Sequence, residues 1–236
     1  MKPNTKIINN ICFDDFEELT ANIKTISESG KVIKKSEIII NAYPTSSQNN
    51  APPKEKEVKY SLVYLGDCEN KIKLYYNLSN DTQLYILGID SPNKDKSSST
   101  NVYNYGVYLE DGTLLDHNLA CQDSKISISS HISNPELVKL DDAVYFSDLG
   151  YDIFDKNSSF YSDNCAPVSI NGNDIIISDR KKDFFPNNIS LCNDSCYYSS
   201  VDLNSERFTC ECNLNNNNTK KNTDFFEEEN NIDDIG

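Results

Sequence analysis

Leu84-Tyr85-Ile86-Leu87-Gly88-Ile89 is a continuous apolar run, answered after the polar stretch 91–100 by Val102-Tyr103-Asn104-Tyr105-Gly106-Val107-Tyr108-Leu109. Two β-branched and aromatic runs flanking a Ser-, Lys- and Asn-bearing loop predict a pair of strands turned back on each other. Downstream, Asp111-Gly112 is a dipeptide that tolerates the left-handed backbone of a tight turn, and Ile126 and Ile128 alternate with polar residues in a further strand over 125–129. Upstream, Val58, Tyr60, Leu62 and Tyr64 alternate as a half-buried strand that stops at Gly66-Asp67-Cys68, and a short helix runs through Ile72 and Tyr75 to a turn at Asn80-Asp81. The middle of the chain therefore reads as mainly antiparallel β.

The flanks are different. Phe16, Leu19, Ile23 and Ile26 follow Asp14-Asp15 at helical spacing and end at Gly30. A strand is expected over 31–43 and a Pro-, Ser- and Asn-bearing linker over 44–57. Beyond the middle, Asp141 and Asp142 open a short helix through Phe146 that Gly150 closes. Asn171-Gly172 turns the chain into a strand over 175–177, and two short strands, 196–198 and 207–210, flank a turn at 202–205. The fold class is α+β, mainly antiparallel β in the middle, followed by a small disulfide-rich segment and a disordered acidic tail. The expected divisions are a helix–strand segment with linker (1–57), a mainly β domain (58–150), a Cys-rich segment (151–213) and the tail (214–236), which carries Glu227, Glu228, Glu229, Asp233 and Asp234.

Across 236 residues there are 37 acidic and 22 basic side chains, a net charge of −15. That field repels phosphate backbones and anionic headgroups, which argues against a nucleic-acid partner. No apolar run approaches the roughly 20 residues of a spanning helix. A membrane association is expected only through segments outside this chain. Nor does the start of the chain read as a signal peptide, because Asn9 and Asn10 interrupt its isoleucines. The chain is read as an internal piece of a longer secreted protein.

Eight cysteines stand in a chain with one Met and no Trp. Five of them, Cys165, Cys192, Cys196, Cys210 and Cys212, crowd a stretch poor in aliphatics, the pattern of covalent staples on a small core. Eight cysteines allow 105 pairings. A partial expectation joins Cys68 to Cys121, closes bridges within 165–212 and leaves Cys12 without an evident partner. A structural zinc site is the rival reading, weakened because Cys210-Glu211-Cys212 encloses one residue where zinc pairs enclose two to four. N-x-Ser/Thr sequons begin at Asn77, Asn80, Asn157, Asn188, Asn193 and Asn217. They permit glycosylation, although so many Asn, Ser and Thr supply several such triplets by chance.

Catalytic readings are poorly supported. Asp116-His117 is an acid–histidine pair with no nucleophile elbow anywhere, and its ordinary reading is a surface turn. His131 in a Ser-rich loop would have to activate a cysteine otherwise expected in a bridge. The glycines form no phosphate loop. Asp155-Lys156-Asn157-Ser158-Ser159 resembles the start of a calcium loop, but Phe160 and Ala166 stand where Gly and Glu are required, so Asx-rich turns explain it. Arg180, between Asp179 and Asp183, is expected to pair with a carboxylate and organise the Cys-rich segment, or else to bind a ligand carboxylate. Tyr103, Tyr105 and Tyr108 offer either contact surface or packing for a core poor in aliphatics. No catalytic residue, metal or cofactor is assigned.

Taken in order, Leu65-Gly66-Asp67-Cys68-Glu69-Asn70-Lys71-Ile72-Lys73, the run 84–90, Leu115-Asp116 before Cys121, Phe160-Tyr161-Ser162-Asp163-Asn164-Cys165, Asn171-Gly172-Asn173-Asp174 leading to Asp179-Arg180-Lys181, and the final cysteines resemble a module of large surface proteins of ciliate- or amoeba-type protists. The resemblance spans about 58–214. It implies a membrane-proximal ectodomain, preceded by growth-factor-receptor-type Cys-rich repeats and followed by one membrane helix, with no enzymatic activity attached. The expectation is a non-catalytic, disulfide-stabilised extracellular domain at the outer face of the plasma membrane, acting in adhesion, ligand binding or receptor spacing with a protein or glycan ligand. An intracellular acidic scaffold with a cysteine zinc site is the alternative.

Overall fold

The computed structural model describes residues 7–8, 11–30, 32–49, 59–165, 168–170, 173–184, 189–192 and 196–214. Two two-residue strands, β1 (Ile7–Ile8) and β2 (Ile11–Cys12), pair with each other and lead into helices α1 (Phe13–Ala21) and α2 (Ile23–Glu28). The single helix expected here is broken at Asn22, whose side-chain amide donates to the Glu18 carbonyl at 2.9 Å. Leu19 and Ile23 are buried and Ile26 partly so, which keeps the expected apolar face. Gly30 then takes the left-handed φ of 62° that ends the element.

The strand expected over 31–43 is a hairpin instead, β3 (Val32–Lys35) and β4 (Ile38–Pro44), because Ser36 turns the chain at a φ of 55°. β4 pairs along its length with β6 (Tyr85–Ser91), which pairs with β7 (Val102–Tyr108), and β7 with β8 (Leu114–Leu115). The result is a five-stranded antiparallel sheet in the order β3-β4-β6-β7-β8. The opening pair of runs thus supplies two adjacent strands. A second sheet has four strands in the order β12-β13-β9-β5, from β5 (Leu62–Tyr64), β9 (Ser124–His131), β12 (Cys196–Asp202) and β13 (Arg207–Leu214). Its first strand is shorter than the alternation over 58–64 predicts, and Val58 lies outside the described residues.

Alternation along β6 decides the layering. Tyr85, Leu87 and Ile89 join Ile38, Ile40, Leu19 and Ile23 under the N-terminal helices, whereas Ile86 faces Val63, Ile126 and Ile128 of the second sheet. Helix α3 (Asp67–Tyr75) closes one end of this inter-sheet core with Cys68 and Ile72, beside the four-residue helix α4 (His117–Ala120). A third core gathers Phe146, Phe160, Phe184, Ile153, Leu191 and Phe208. It joins α5 (Leu140–Asp148) to α6 (Ile177–Phe184) and to Phe208 and Cys210 of β13.

The strand expected over 175–177 is absent. β10 (Ser169–Ile170) and β11 (Asn173–Asp174) form a minimal hairpin, and Ile177 opens α6, because burying Phe184 requires helical spacing from Arg180. β4 lies before position 57 yet pairs with β6, and α5 lies before position 150 yet packs with the Cys-rich segment. The acidic tail beyond Leu214, with the end of the expected linker, falls outside the described residues.

Candidate functional site

Three disulfides brace the fold. Cys68 of α3 bonds Cys121 at the end of α4, across 53 residues, with both side chains fully buried. Cys196 and Cys212 sit directly opposite each other on β12 and β13, and Cys192 reaches Cys210 on the same strand. The two late pairings follow from the sheet, since β13 presents Cys210 and Cys212 on one face at a spacing of two. The Cys68–Cys121 bridge is the expected one. Cys165 corrects the expectation for the late cluster. The four other cysteines there pair with one another, and Cys165 is left as an exposed free thiol in the loop after Tyr161. The side chain of Cys12 lies outside the described residues.

Both histidines differ from their expected settings. Asp116 caps α4 by accepting the Asn118 and Leu119 amides at 2.9 and 3.0 Å, but His117 is buried, not a surface turn residue. Its ring packs at 4.7 Å on Tyr105, and burial pushes its pKa down to about 4, against the pull of Asp116. His131 is no loop residue, for it ends β9 opposite Arg207. Burial, followed by the neighbouring Arg207 and Lys59, lowers its pKa. The tyrosines resolve toward packing, since Tyr103, Tyr105 and Tyr108 are all buried.

The two arginines, Arg180 and Arg207, are both buried. Arg180 donates to backbone carbonyls of Ile175 at 2.9 Å, Phe160 at 3.0 Å and Asp163 at 3.3 Å, and lies against the Phe160 ring. These contacts tie α6 to the loop after Tyr161, in keeping with the organising role expected of Arg180 in the Cys-rich segment. Loop backbone at the edge of the third core must find donors, and Arg180 supplies them to these carbonyls. Arg207 bonds the Ser129 hydroxyl and carbonyl and the Tyr60 carbonyl. Between the sheets, Asp90 accepts the Ser61 amide at 2.8 Å and its hydroxyl at 2.6 Å, and Ser61 reaches the Ser130 hydroxyl at 3.0 Å. Burial lifts the Asp90 pKa to about 6, against those hydrogen bonds and Arg207. This network braces the two sheets.

The surface of the third core holds an open groove of about 480 Å³ between the end of α5 and the turn joining β12 to β13. Its floor includes Ile153, Phe154 and Leu203, and its rim carries Ser147, Tyr151, Asp152, Asp202 and Asn204, with no lysine or arginine. Asp152 accepts the Tyr198 hydroxyl at 2.6 Å and the Phe154 amide at 2.8 Å, while Asp202 accepts the Asn204 amide at 2.9 Å. Burial and then Asp152 hold the Tyr198 phenol well above its ordinary range. The rim therefore offers acceptors to a ligand rich in hydroxyl or ammonium donors. Sequence reading missed this site, because its two carboxylates are 50 positions apart and look like turn residues. Asp155 and Ser158 do make turns, accepting the Asn157 and Phe160 amides. Among the described residues, no three His, Cys, Asp or Glu side chains gather as a metal site, and no helix is long and apolar enough to cross a membrane.

Asn77, Asn80 and Asn157 are exposed, and Asn188, Asn193 and Asn217 lie outside the described residues. Compared with known proteins, the chain matches no family model, no curated protein and no solved structure.

Proposed function

We propose that this chain is a non-catalytic, disulfide-stabilised extracellular domain that binds a protein or glycan ligand, as the membrane-proximal part of a protist surface protein. The observation that carries the reading is the set of three disulfides, each with at least one cysteine buried in a hydrophobic core. Such bonds persist in oxidising compartments and are rare where glutathione keeps thiols reduced. The groove beside α5 is the ligand surface this reading favours, with acidic and hydroxyl groups suited to donors and no cation to attract phosphate or carboxylate. The zinc-scaffold alternative requires thiolates, whereas four of the five late cysteines are bonded to each other.

The test is a count of free thiols in native, unreduced protein from an oxidising host, by alkylation and intact mass, with metal analysis on the same sample. Zero to two free thiols without zinc is the expected result. Eight alkylatable thiols, or stoichiometric zinc, would overturn the reading and place the protein among intracellular metal-binding scaffolds.

A further inference from the structure

We propose that Asn77 carries an N-linked glycan whose first sugar packs on the ring of Tyr75. The inference rests on the extracellular reading above and adds the site, the modification and its structural consequence. Helix α3 ends with Tyr75, and Asn77 follows in the left-handed region at a φ of 53°. The Asn77 amide returns to the Leu74 carbonyl at 3.1 Å and the Leu78 amide to the Lys73 carbonyl at 2.8 Å. That pair of bonds is a Schellman close, and Leu78 packs against the inter-sheet core, so the backbone that carries the Asn77 amide is held from both sides.

Tyr75 lies two residues earlier at the same helix end. It is 57% exposed, and Leu74 beside it is 82% exposed, the most exposed large apolar side chain among the described residues. The Tyr75 ring stands edge-on to Tyr76 at 5.1 Å, and the Tyr76 hydroxyl is anchored by the Asp116 amide at 2.8 Å. A pyranose has a face of C–H groups, and covering an anchored, water-exposed ring with it removes apolar area on both sides. The other exposed sequons lack this arrangement. Leu78, two residues before Asn80, is turned into the core, and Asp155, two before Asn157, is occupied in a turn.

In the modification step, the Asn77 amide nitrogen forms a bond to the anomeric carbon of a lipid-pyrophosphate-linked oligosaccharide. The bond from that carbon to the pyrophosphate oxygen breaks, and the amide proton leaves with the lipid pyrophosphate. Ser79 completes the sequon; its hydroxyl accepts the Asp81 amide at 3.4 Å and is exposed, so Ser79→Ala removes the site without disturbing Asn77 at its left-handed position.

The chain is secreted from a eukaryotic host, its sequons are mapped by glycopeptide mass spectrometry, and Tm is read before and after enzymatic glycan removal. Asn77 is expected to be occupied, and Ser79→Ala to abolish that occupancy. Glycan removal is expected to lower Tm by about 2–4 °C, and Tyr75→Ala to reduce that drop to less than half. An unmodified Asn77 in protein whose six paired cysteines are oxidised overturns this inference and leaves the extracellular reading standing. Eight free thiols overturn both. An equal drop with Tyr75 and with Tyr75→Ala overturns the packing of sugar on the ring.

Discussion

Asp90 and His117 are buried in the same inter-sheet region with pKa values displaced in opposite senses, and their contributions to stability oppose each other. Folding raises Asp90 from its ordinary 3.8 to about 6, so the folded state binds the extra proton between those values and stability falls as pH rises through that window. His117 moves from 6.5 to about 4, so the unfolded state binds the extra proton and stability rises with pH from 4 to 6.5. Between pH 4 and 6 the two slopes, each at most about 1.4 kcal/mol per pH unit, largely cancel. Asp90→Asn, which keeps an acceptor for Ser61, is expected to unmask the histidine. Urea midpoints of that variant should fall more steeply from pH 7 to pH 4 than those of the parent, and at pH 8 the variant should be at least as stable as the parent. A flat profile in the variant would remove His117 from the account. Arg207 is a different kind of residue, because its bonds to the Ser129 and Tyr60 carbonyls are made in the interior. Arg207→Ala is expected to cost about 3–5 kcal/mol in urea unfolding by leaving those carbonyls unpaired.

At the scale of the element, Gly88 shows how β6 receives its neighbours. A Cβ there would clash with the Tyr103 hydroxyl and ring and stand 2.6 Å from Asn41 Oδ1, because Gly88 lies between Asn41 on β4 and Tyr105 on β7. Gly88→Ala is expected to destabilise by about 1–3 kcal/mol. Adding Tyr103→Phe, which removes the obstructing oxygen, should recover part of that loss in a double-mutant cycle, and strict additivity would show that the two positions do not share the space. The same close approach explains a glycine inside an otherwise apolar strand, a feature readable from the sequence only as an oddity.

For the whole molecule, the bridges and the net charge set stability together. The Cys68–Cys121 bond spans 53 residues and Cys196–Cys212 spans 16, so chain-entropy arguments assign about 4 and about 3 kcal/mol to them. Replacing Cys68 and Cys121 by alanine should lower Tm more than replacing Cys196 and Cys212. A net charge of −15 also works against the folded state by self-repulsion. Raising NaCl from about 20 to about 200 mM should therefore raise Tm, and a fall would assign the dominant electrostatics to attractive pairs such as Lys73–Glu69.

Local chemistry by itself determined the strands around Leu84 and Val102, the helices through Ile72 and Phe146, the turn between Asp202 and Ser205, and a cysteine pattern that forms disulfides. Those signals reside in periodicity and turn residues within a few positions, which a sequence displays directly. Local signals failed at Ile175-Ile176-Ile177, where a β-branched run gave way to a helix that buries Phe184, and at Ser36, where a turn cut one apparent strand into two. Tertiary structure alone decided that β4 crosses the linker to pair with β6, that α5 shares a core with the Cys-rich segment, that Arg180 binds carbonyls, and that Asp152 and Asp202 meet at one groove. Each of these depends on contacts between residues far apart in the chain, and those contacts are selected by burying apolar faces and satisfying interior polar groups, not by any preference of the residues taken alone.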